Sequence, residues 1–366
     1  MKLQTLILAI LSMFILIGCN DTKSELGDKL FHDTSLSRDR TMSCATCHVI
    51  DSAFIDPRAT NLSLGASLGD DLVSIADRNA PTAAYAQFIP KFHFNEEEGL
   101  FMGGQFLDGR AKDLKEQAKE PFLNPVEMNM PNEKAVIRRV KENLSYVISF
   151  KRLYGYDIFN DTKKAYEALA DSIATFEKSA KFAPFSSKYD KFLKGNAQLS
   201  NQELRGLALF NGKAECVACH PGDGHKAQFT DFSYDNLGVP INHALRSANG
   251  KGTGFIDNGL YENPQVTDNS LKGAFRVSTL RNIAVTGPYM HNGVFKDLAT
   301  VVHFYNTRDV VGAINPETGK VWEKGEVEIN KNSEELGDLN LTLAEEADLV
   351  SFMKTLTDEQ FIHLIP

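Results

Sequence analysis

The chain contains little cysteine. Only five of its 366 residues are cysteines, and four of them stand in two short motifs, Cys44-Ala-Thr-Cys47-His48 and Cys216-Val-Ala-Cys219-His220. The fifth, Cys19, follows an apolar segment at the N-terminus. No thiols are left over for a disulfide framework, which excludes the class of small domains that disulfides hold together.

Long apolar runs are also scarce, and the clearest one occupies residues 3–18. It is too short and too close to the terminus for an ordinary membrane span, so it predicts a signal peptide over residues 1–18. Leu16-Ile17-Gly18-Cys19 resembles the lipobox of bacterial lipoproteins. It predicts acylation of the Cys19 thiol and a polar tether over residues 19–25, so that only lipid holds the chain to a membrane. A plain signal peptide with an incidental cysteine, or an uncleaved anchor, is the alternative.

Basic residues are outnumbered by acidic ones, and the net charge is −9 at pH 7. This balance argues against a nucleic-acid partner and suits a cationic one, although a solvated acidic surface gives the same balance.

The two Cys-x-x-Cys-His motifs are typical of covalent haem attachment. In such motifs both thiols bind the porphyrin, and the histidine that follows ligates the iron. They predict two haem c groups, with His48 and His220 as iron ligands. A zinc ribbon or a redox dithiol is the alternative. A zinc site would need the cysteine pairs closer than 172 residues apart and would not require both histidines. Haem is attached outside the cytoplasm, which agrees with export to the periplasm.

The predicted fold is mainly α, with two cytochrome c-like haem domains and long irregular loops. The spacing of the motifs places the N-terminal domain at residues 26–195 and the C-terminal domain at residues 196–366. Residues 223–268 are punctuated by glycine and asparagine, which predicts an irregular stretch with at most a short hairpin. Apolar periodicity and capping signals predict six helices, at residues 26–31, 133–142, 164–179, 188–193, 203–210 and 343–356.

Longer motifs resemble the bacterial di-haem cytochrome c peroxidases, a family that also includes MauG-type enzymes, which oxidise protein side chains. The resemblance covers roughly residues 25–357. The motifs that carry it are Arg78-Asn-Ala-Pro, Gln105-Phe-Leu-Asp-Gly-Arg110, Gln117-Ala-Lys-Glu-Pro121, Asn124-Pro-Val-Glu127-Met128 and Leu280-Arg-Asn-Ile-Ala-Val-Thr286-Gly-Pro288-Tyr-Met-His291.

The resemblance assigns peroxide chemistry to the N-terminal haem, on His48. It makes Glu127 the catalytic carboxylate that moves a proton between the two peroxide oxygens, and places Gln117 and Pro121 in the same distal pocket. Without the surrounding motif, Glu127 would be interpreted as an exposed loop carboxylate and Gln117 as a residue on a solvated helix face.

The reductively activated peroxidases of the family have a histidine in the loop after the first haem motif, which ligates the iron at rest. Residues 49–92 of this chain contain no histidine. We therefore expect an open N-terminal haem that takes peroxide without prior reduction, as in MauG-type members. His93 is the nearest candidate for a switch ligand, but a surface or packing role is the stronger expectation for it.

The sixth ligand of the C-terminal haem is expected from Val301-Val-His303-Phe-Tyr305-Asn. The resemblance matches Tyr305 to this position, where MauG-type enzymes have tyrosine and the peroxidases have methionine. A phenolate would lower the reduction potential of the iron. Met290 and His303 are the alternatives, and a buried, hydrogen-bonded tyrosine is the purely structural interpretation.

Tryptophan is nearly absent, and this is a departure from the family. The family commonly has a tryptophan between the haems, in Phe-Trp-Asp-Gly-Arg, where this chain has Leu107. Leucine cannot hold an oxidising equivalent, so electrons must tunnel directly between the haems or use another aromatic side chain. The single tryptophan, Trp322, lies in a polar stretch and is expected to pack, with a surface relay as the alternative.

The resemblance also implies a calcium ion between the domains, bound by Asn79 and by backbone carbonyls at Thr286 and Pro288. Without the resemblance, Asn79-Ala-Pro would be interpreted as a simple turn.

The sequence thus predicts a peroxidase that reduces hydrogen peroxide to water. Its electrons would come from a small periplasmic cytochrome c or cupredoxin. The first rival is a MauG-like oxidase that modifies side chains of a partner protein, and the second is a di-haem electron carrier without peroxide chemistry. The sequence does not decide whether the chain forms a homodimer.

Overall fold

The computed structural model describes residues 21–61, 64–252 and 254–366. The predicted signal peptide and the predicted acylation site, Cys19, lie outside these residues. Within them, no helix has both the length and the apolar character that a membrane span requires.

Helices dominate the described part of the chain, as predicted, and the intervening loops are long. The α-helices are α1 (Lys23–His32), α2 (Cys44–Cys47), α3 (Pro57–Asn61), α4 (Leu114–Gln117), α5 (Glu120–Leu123), α6 (Glu133–Glu142), α7 (Leu144–Tyr154), α8 (Thr162–Glu177), α9 (Lys188–Leu193), α10 (Asn201–Phe210), α11 (His243–Ala248), α12 (Leu298–Thr307) and α13 (Leu343–Lys354).

The strands form small antiparallel pairs that are too short to build a core of their own. Two pairs are local hairpins, β1–β2 and β5–β6, whereas β3 and β4 come from distant parts of the chain. The strands are β1 (His93–Asn95), β2 (Leu100–Met102), β3 (Tyr234–Asp235), β4 (Phe275–Arg276), β5 (Ile314–Asn315) and β6 (Lys320–Val321).

The first core is built where α1 crosses α8. The crossing requires a glycine, because a Cβ atom at Gly27 would collide with the carbonyl oxygen of Ser172. One helical turn further along, Phe31 packs edge-on against Phe176, with the ring centroids 5.4 Å apart. The core that surrounds this crossing is drawn from residues 26–183 and includes Phe361 from the end of the chain.

The second core repeats this arrangement with α10 and α13. A Cβ atom at Gly206 would collide with the carbonyl oxygen of Asp348. Phe210 packs edge-on against Phe352, with the centroids 5.2 Å apart. Both crossings therefore rest on the pattern Gly-x-x-Leu-Phe in a helix that precedes a haem motif. This repeat was not predicted from the sequence.

Several helices match the predicted bounds. Helices α6 and α9 agree residue for residue, and α13 begins as predicted at the Thr342–Glu345 capping box. Helix α10 has the predicted N-cap, Ser200. Helices α7, α11 and α12 were not predicted, because their apolar residues are mixed with polar and β-branched ones that give no clear helical period.

The predicted tether over residues 19–25 is wrong for its second half. Helix α1 already begins at Lys23, and Thr22 and Glu25 form a capping box at its start. The Lys23 ammonium also binds Asp171 of α8 at 2.7 Å. The polar side chains of Thr22, Lys23 and Glu25 therefore cap and anchor a helix.

The two cores are joined through mixed contacts. Leu245 packs with Ala66 and Ile75, so a helix of the C-terminal half covers a loop of the N-terminal half. Leu260 similarly packs with Phe92 and Phe101. The boundary between residues 195 and 196 stays a prediction.

Candidate haem-binding and peroxide sites

The first haem motif lies against the first core. Cys44 and Cys47 begin and end the short helix α2, and both side chains pack against core residues. The His48 Nδ1 atom lies 3.2 Å from the carbonyl oxygen of Phe54. This contact places the ring proton on Nδ1 and leaves Nε2 to bind a metal. Burial lowers the pKa of His48, so the imidazole is neutral at pH 7, as an iron ligand must be.

The second motif has the same geometry in a tighter turn. Cys216 begins a 3₁₀ turn, and the His220 Nδ1 atom lies 2.7 Å from the carbonyl oxygen of Phe229. Burial lowers the pKa of this imidazole as well. Cys216, Cys219 and His220 line a largely apolar cavity of about 300 Å³. Both sites therefore offer two thiols and one oriented imidazole beside apolar surroundings, which is the donor set that haem c requires.

The cysteine pairs do not form a common zinc site. They lie in different cores, Cys44 and Cys47 against the first and Cys216 against the second, so the four thiols do not converge on one ion. Within the described ranges, one group of three potential metal ligands has its ligand atoms within 4.8 Å of one another, namely Cys219, Asp235 and Glu335. This group contains one member of one cysteine pair.

Glu127 lies in a tight turn that follows α5. The amide of Met128 donates to the carbonyl of Pro121 at 3.1 Å, which brings two of the predicted distal residues to one turn. The Asn124 side-chain amide donates to Glu127 Oε1 at 2.7 Å. Gln117 is half-buried at the end of α4, four residues before Pro121.

The carboxyl of Glu127 is electrostatically unusual. Burial raises its pKa, and the hydrogen bond from Asn124 and the charge of Arg110 only partly offset this. Arg110 itself pairs with Asp108 at 2.8 Å and with Glu120 at 2.9 Å. The charge of Glu127 also contributes to raising the pKa of the Cys44 and Cys47 thiols, after the larger effect of burial, so this carboxyl lies within electrostatic range of the first motif.

Two residues of this site were missed in the sequence. Asn124 holds Glu127, and its position three residues earlier was a usable signal. Glu177, at the end of α8, is only 6% exposed, and burial raises its pKa to about 8. Its Oε2 atom has no hydrogen-bond partner, and its charge acts on Cys44. No local pattern marks Glu177, because its burial comes from the packing of α1 and α2.

Tyr305 and Met290 both line the cavity of the second motif. Burial raises the pKa of Tyr305, and the nearby charges of Cys219 and Asp235 act in the same direction. His303, the other alternative, is instead bound to Glu346 at 2.9 Å and does not line this cavity. The predicted ligand and one of its two alternatives thus face the site.

Three residues that the sequence related to departures from the family pattern lie in three different environments. Leu107 is buried and lines the same cavity. Trp322 packs edge-on against Phe304, with centroids 5.2 Å apart, and donates to the Thr307 hydroxyl at 3.0 Å. His93 is exposed on the β1–β2 hairpin, with Nδ1 bonded to the carbonyl of Lys91.

The predicted calcium ligands are brought together. The side-chain amide of Asn79 donates to the carbonyl of Pro288 at 2.6 Å, and both residues line the cavity together with Thr286. Two carbonyl groups and one amide oxygen could bind a hard cation if the Asn79 amide turned its oxygen inward. Calcium at this point stays a prediction.

The paired motifs, each on a glycine-crossed helix pair, define a di-haem c-type protein. The family model described as di-haem cytochrome c peroxidase matches residues 21–198. The methylamine utilization protein MauG of Paracoccus denitrificans (strain Pd 1222) is 43% identical over 94% of this chain and 91% of its own length. The cytochrome c551 peroxidase of Nitrosomonas europaea is 31% identical over 93% and 81%.

A solved structure gives the same result. The di-haem peroxidase BthA of Burkholderia thailandensis E264 superposes with a TM-score of 0.83 at 31% identity, covering 95% of this chain and 88% of that one. The chain belongs to the family of di-haem cytochrome c peroxidases and MauG proteins. Membership implies two haem c groups and oxidoreductase activity.

Proposed function

We propose that this protein is a periplasmic di-haem peroxidase that reduces hydrogen peroxide to water with electrons from a small cytochrome c or cupredoxin. The observation that carries the proposal is Glu127, a carboxyl with a raised pKa that is held by an amide and lies within electrostatic range of the first haem motif. An electron carrier has no use for such a group.

The bound haems would supply one iron that takes peroxide, on His48, and one that passes electrons, on His220. Glu127 would accept a proton from the oxygen nearer the iron and return it to the leaving oxygen. Asn124 orients the carboxyl through its 2.7 Å hydrogen bond. Gln117 and Pro121 would shape the same pocket and limit the access of water.

On the electron-transfer side, Tyr305 would be the sixth ligand of the second iron, with Met290 as the alternative on the same cavity wall. A calcium ion held by Asn79 and by the carbonyls at Thr286 and Pro288 would tie the two halves together. Export and acylation at Cys19 would place the enzyme at the periplasmic face of a bacterial membrane.

The test replaces Glu127 by glutamine in the haem-loaded protein. Turnover of hydrogen peroxide should fall on the order of a hundredfold or more, because a side-chain amide cannot accept the proton. Reduction of the second haem by a chemical donor should not change. Glu116→Gln, on α4 and paired with Lys119 at 2.6 Å, is the matched control. Unchanged peroxide turnover in Glu127→Gln would overturn the proposal.

A second candidate is a MauG-type oxidase of a partner protein. The 43% identity to MauG over 94% of the chain favours it, as does the tyrosine in the cavity. The two candidates differ in the fate of the oxidising equivalents. With one equivalent of peroxide and a reduced small cytochrome c, the peroxidase oxidises two equivalents of the cytochrome. A MauG-type enzyme leaves the cytochrome reduced and changes the mass of a protein purified with it.

A further inference from the structure

A buried tyrosine lies between the two haem motifs. Leu107 lines the cavity of the second motif and cannot hold an oxidising equivalent, so transfer between the haems is either direct or through another aromatic side chain. Tyr85 is 2% exposed, belongs to the first core and also lines the cavity of the second motif. It is therefore in contact with both halves of the molecule.

Tyr85 is connected closely to the first motif. The carbonyl of Phe54 faces His48 Nδ1 at 3.2 Å and accepts a hydrogen bond from the amide of Ala83, two residues before Tyr85. The Phe54 ring stacks on Phe182, with centroids 4.4 Å apart, and the carbonyl of Phe182 accepts from the amide of Tyr85 at 2.9 Å.

Tyr85 is also connected to the second motif. The guanidinium of Arg281 lies over the Tyr85 ring at 4.9 Å and over the Phe229 ring at 5.8 Å. The Phe229 carbonyl in turn faces His220 Nδ1 at 2.7 Å. The phenol thus stands between the backbone groups that orient the two iron-ligating histidines.

The hydroxyl of Tyr85 has a built-in proton acceptor. It donates to the carboxylate of Asp358 at 2.8 Å and accepts from the amide of Phe185 at 3.1 Å. Asp358 is fully buried, and its oxygens are otherwise bound by neutral groups of Ser186 and Asn282. Burial and the charge of Asp358 raise the pKa of Tyr85, so the phenol stays protonated and can lose an electron readily only if its proton leaves as well.

Another tyrosine on the same cavity lacks this feature. Tyr289 is buried and lines the cavity, but its hydroxyl donates to the carbonyl of Ile283 at 2.9 Å. A carbonyl cannot take up the phenolic proton at neutral pH. Tyr289 is therefore a matched control and not a relay.

We propose that Tyr85 is a redox relay between the two haems and that Asp358 is its proton acceptor. The inference rests on the proposed use of hydrogen peroxide, a two-electron oxidant, at the first haem. Tyr85 gives one electron towards the oxidised first haem and its phenolic proton to Asp358, which forms a neutral tyrosyl radical and a carboxylic acid. An electron from the second haem then reduces the radical, and Asp358 returns the proton.

The test follows the optical change of the second haem after the di-haem protein is mixed with one equivalent of hydrogen peroxide. In Tyr85→Phe, which keeps the ring packing, the oxidising equivalent should reach the second haem at least about tenfold more slowly. Transfer in the unchanged protein should slow about twofold in D₂O, because a proton moves with the electron, and this isotope effect should vanish in Tyr85→Phe. Tyr289→Phe should match the unchanged protein.

Asp358→Asn keeps the side-chain shape but removes the base, and should slow the transfer as Tyr85→Phe does. Transfer at the original rate in Tyr85→Phe would overturn the relay, as would equal slowing in Tyr289→Phe. The optical change of the first haem on addition of peroxide distinguishes failure of the relay from failure of the proposed function. If the first haem does not react with peroxide at all, the proposed function fails and the relay fails with it.

Discussion

The two predicted haem sites share their attachment geometry and differ in the side chains that surround it. Each site has a helix pair that crosses at a glycine, a Cys-x-x-Cys-His turn and a histidine whose Nδ1 faces a backbone carbonyl. The first site adds two carboxyls with raised pKa, the partly buried Glu127 and the buried Glu177. The second adds a phenol and a thioether, Tyr305 and Met290. One local fold thus surrounds the two attachment motifs with different side chains, as the proposed division into a peroxide site and an electron-transfer site requires.

The two helix pairs differ clearly at the position that follows the packed phenylalanine of the second helix. Glu177 follows Phe176 in α8, and Met353 follows Phe352 in α13, so a buried acid in the first core corresponds to a buried thioether in the second. The raised pKa means that the folded state holds a proton which the unfolded state loses above its ordinary pKa of 4.5. The folded state is therefore penalised progressively as the pH rises from 4.5 to about 8.

Glu177→Met makes the first core resemble the second and should give the largest effect on stability. The free energy of unfolding of the unchanged protein should fall by on the order of 1.4 kcal/mol per pH unit across this window, and the variant should not show this fall. The variant should therefore be a few kcal/mol more stable at pH 8. Denaturant unfolding at pH 5 and pH 8 measures this, and Glu177→Gln separates charge from shape. Equal pH dependence in all three proteins would show that Glu177 is ionised in the folded state.

The two glycine crossings predict that each core loses a similar amount of stability when its glycine is replaced. Gly27→Ala and Gly206→Ala should each cost about 1–3 kcal/mol, because the added methyl group meets a backbone carbonyl that cannot move alone. Gly254 is the control position, because a Cβ atom there would meet nothing within 4 Å and its backbone does not have the positive φ that disfavours alanine. Gly155 is equally open, but its φ is +107°. Thermal unfolding of the haem-loaded variants, with Gly254→Ala as control, measures the loss. A tolerated substitution at only one crossing would break the correspondence between the cores.

Tyr305→Phe should have the smallest effect on stability and affect only the second site. The ring still fills the cavity wall, but the phenolic oxygen is lost, so a ferric second haem should change its ligand field and its reduction potential should rise. Optical and EPR spectra with a redox titration measure both changes. Tyr289→Phe is the control on the same cavity. Identical spectra before and after the substitution would assign the sixth position to Met290 or to another group.

The chemistry of the attachment sites was predictable from sequence, because Cys-x-x-Cys-His is a contiguous motif whose members must be neighbours. Helices α6 and α13 were predictable for a similar reason, since the apolar periodicity of α6 and the N-caps of both helices are local. The Gly-x-x-Leu-Phe repeat was present but inconspicuous, because the residues around Gly27 and Gly206 differ in charge and size.

Groups whose environment comes from distant segments were not predictable. Tyr85 and Asp358 are 273 positions apart, and nothing near either residue indicates the contact. The burial of Glu177 likewise depends on helices that lie more than a hundred residues before it in the chain. Local patterns predict the residues that would hold the cofactors, whereas the surroundings of those residues depend on tertiary packing.

The last turn of the described chain has a consequence for the N-terminal half. The 3₁₀ turn Glu359–Leu364 places Phe361 in the first core, edge-on to Phe54 at 6.2 Å, and Asp358 just before it binds Tyr85. Residues at the far end of the sequence thus complete the core against which the first haem motif lies. Removal of residues 358–366 should therefore loosen the N-terminal half of the molecule as well as the C-terminal half.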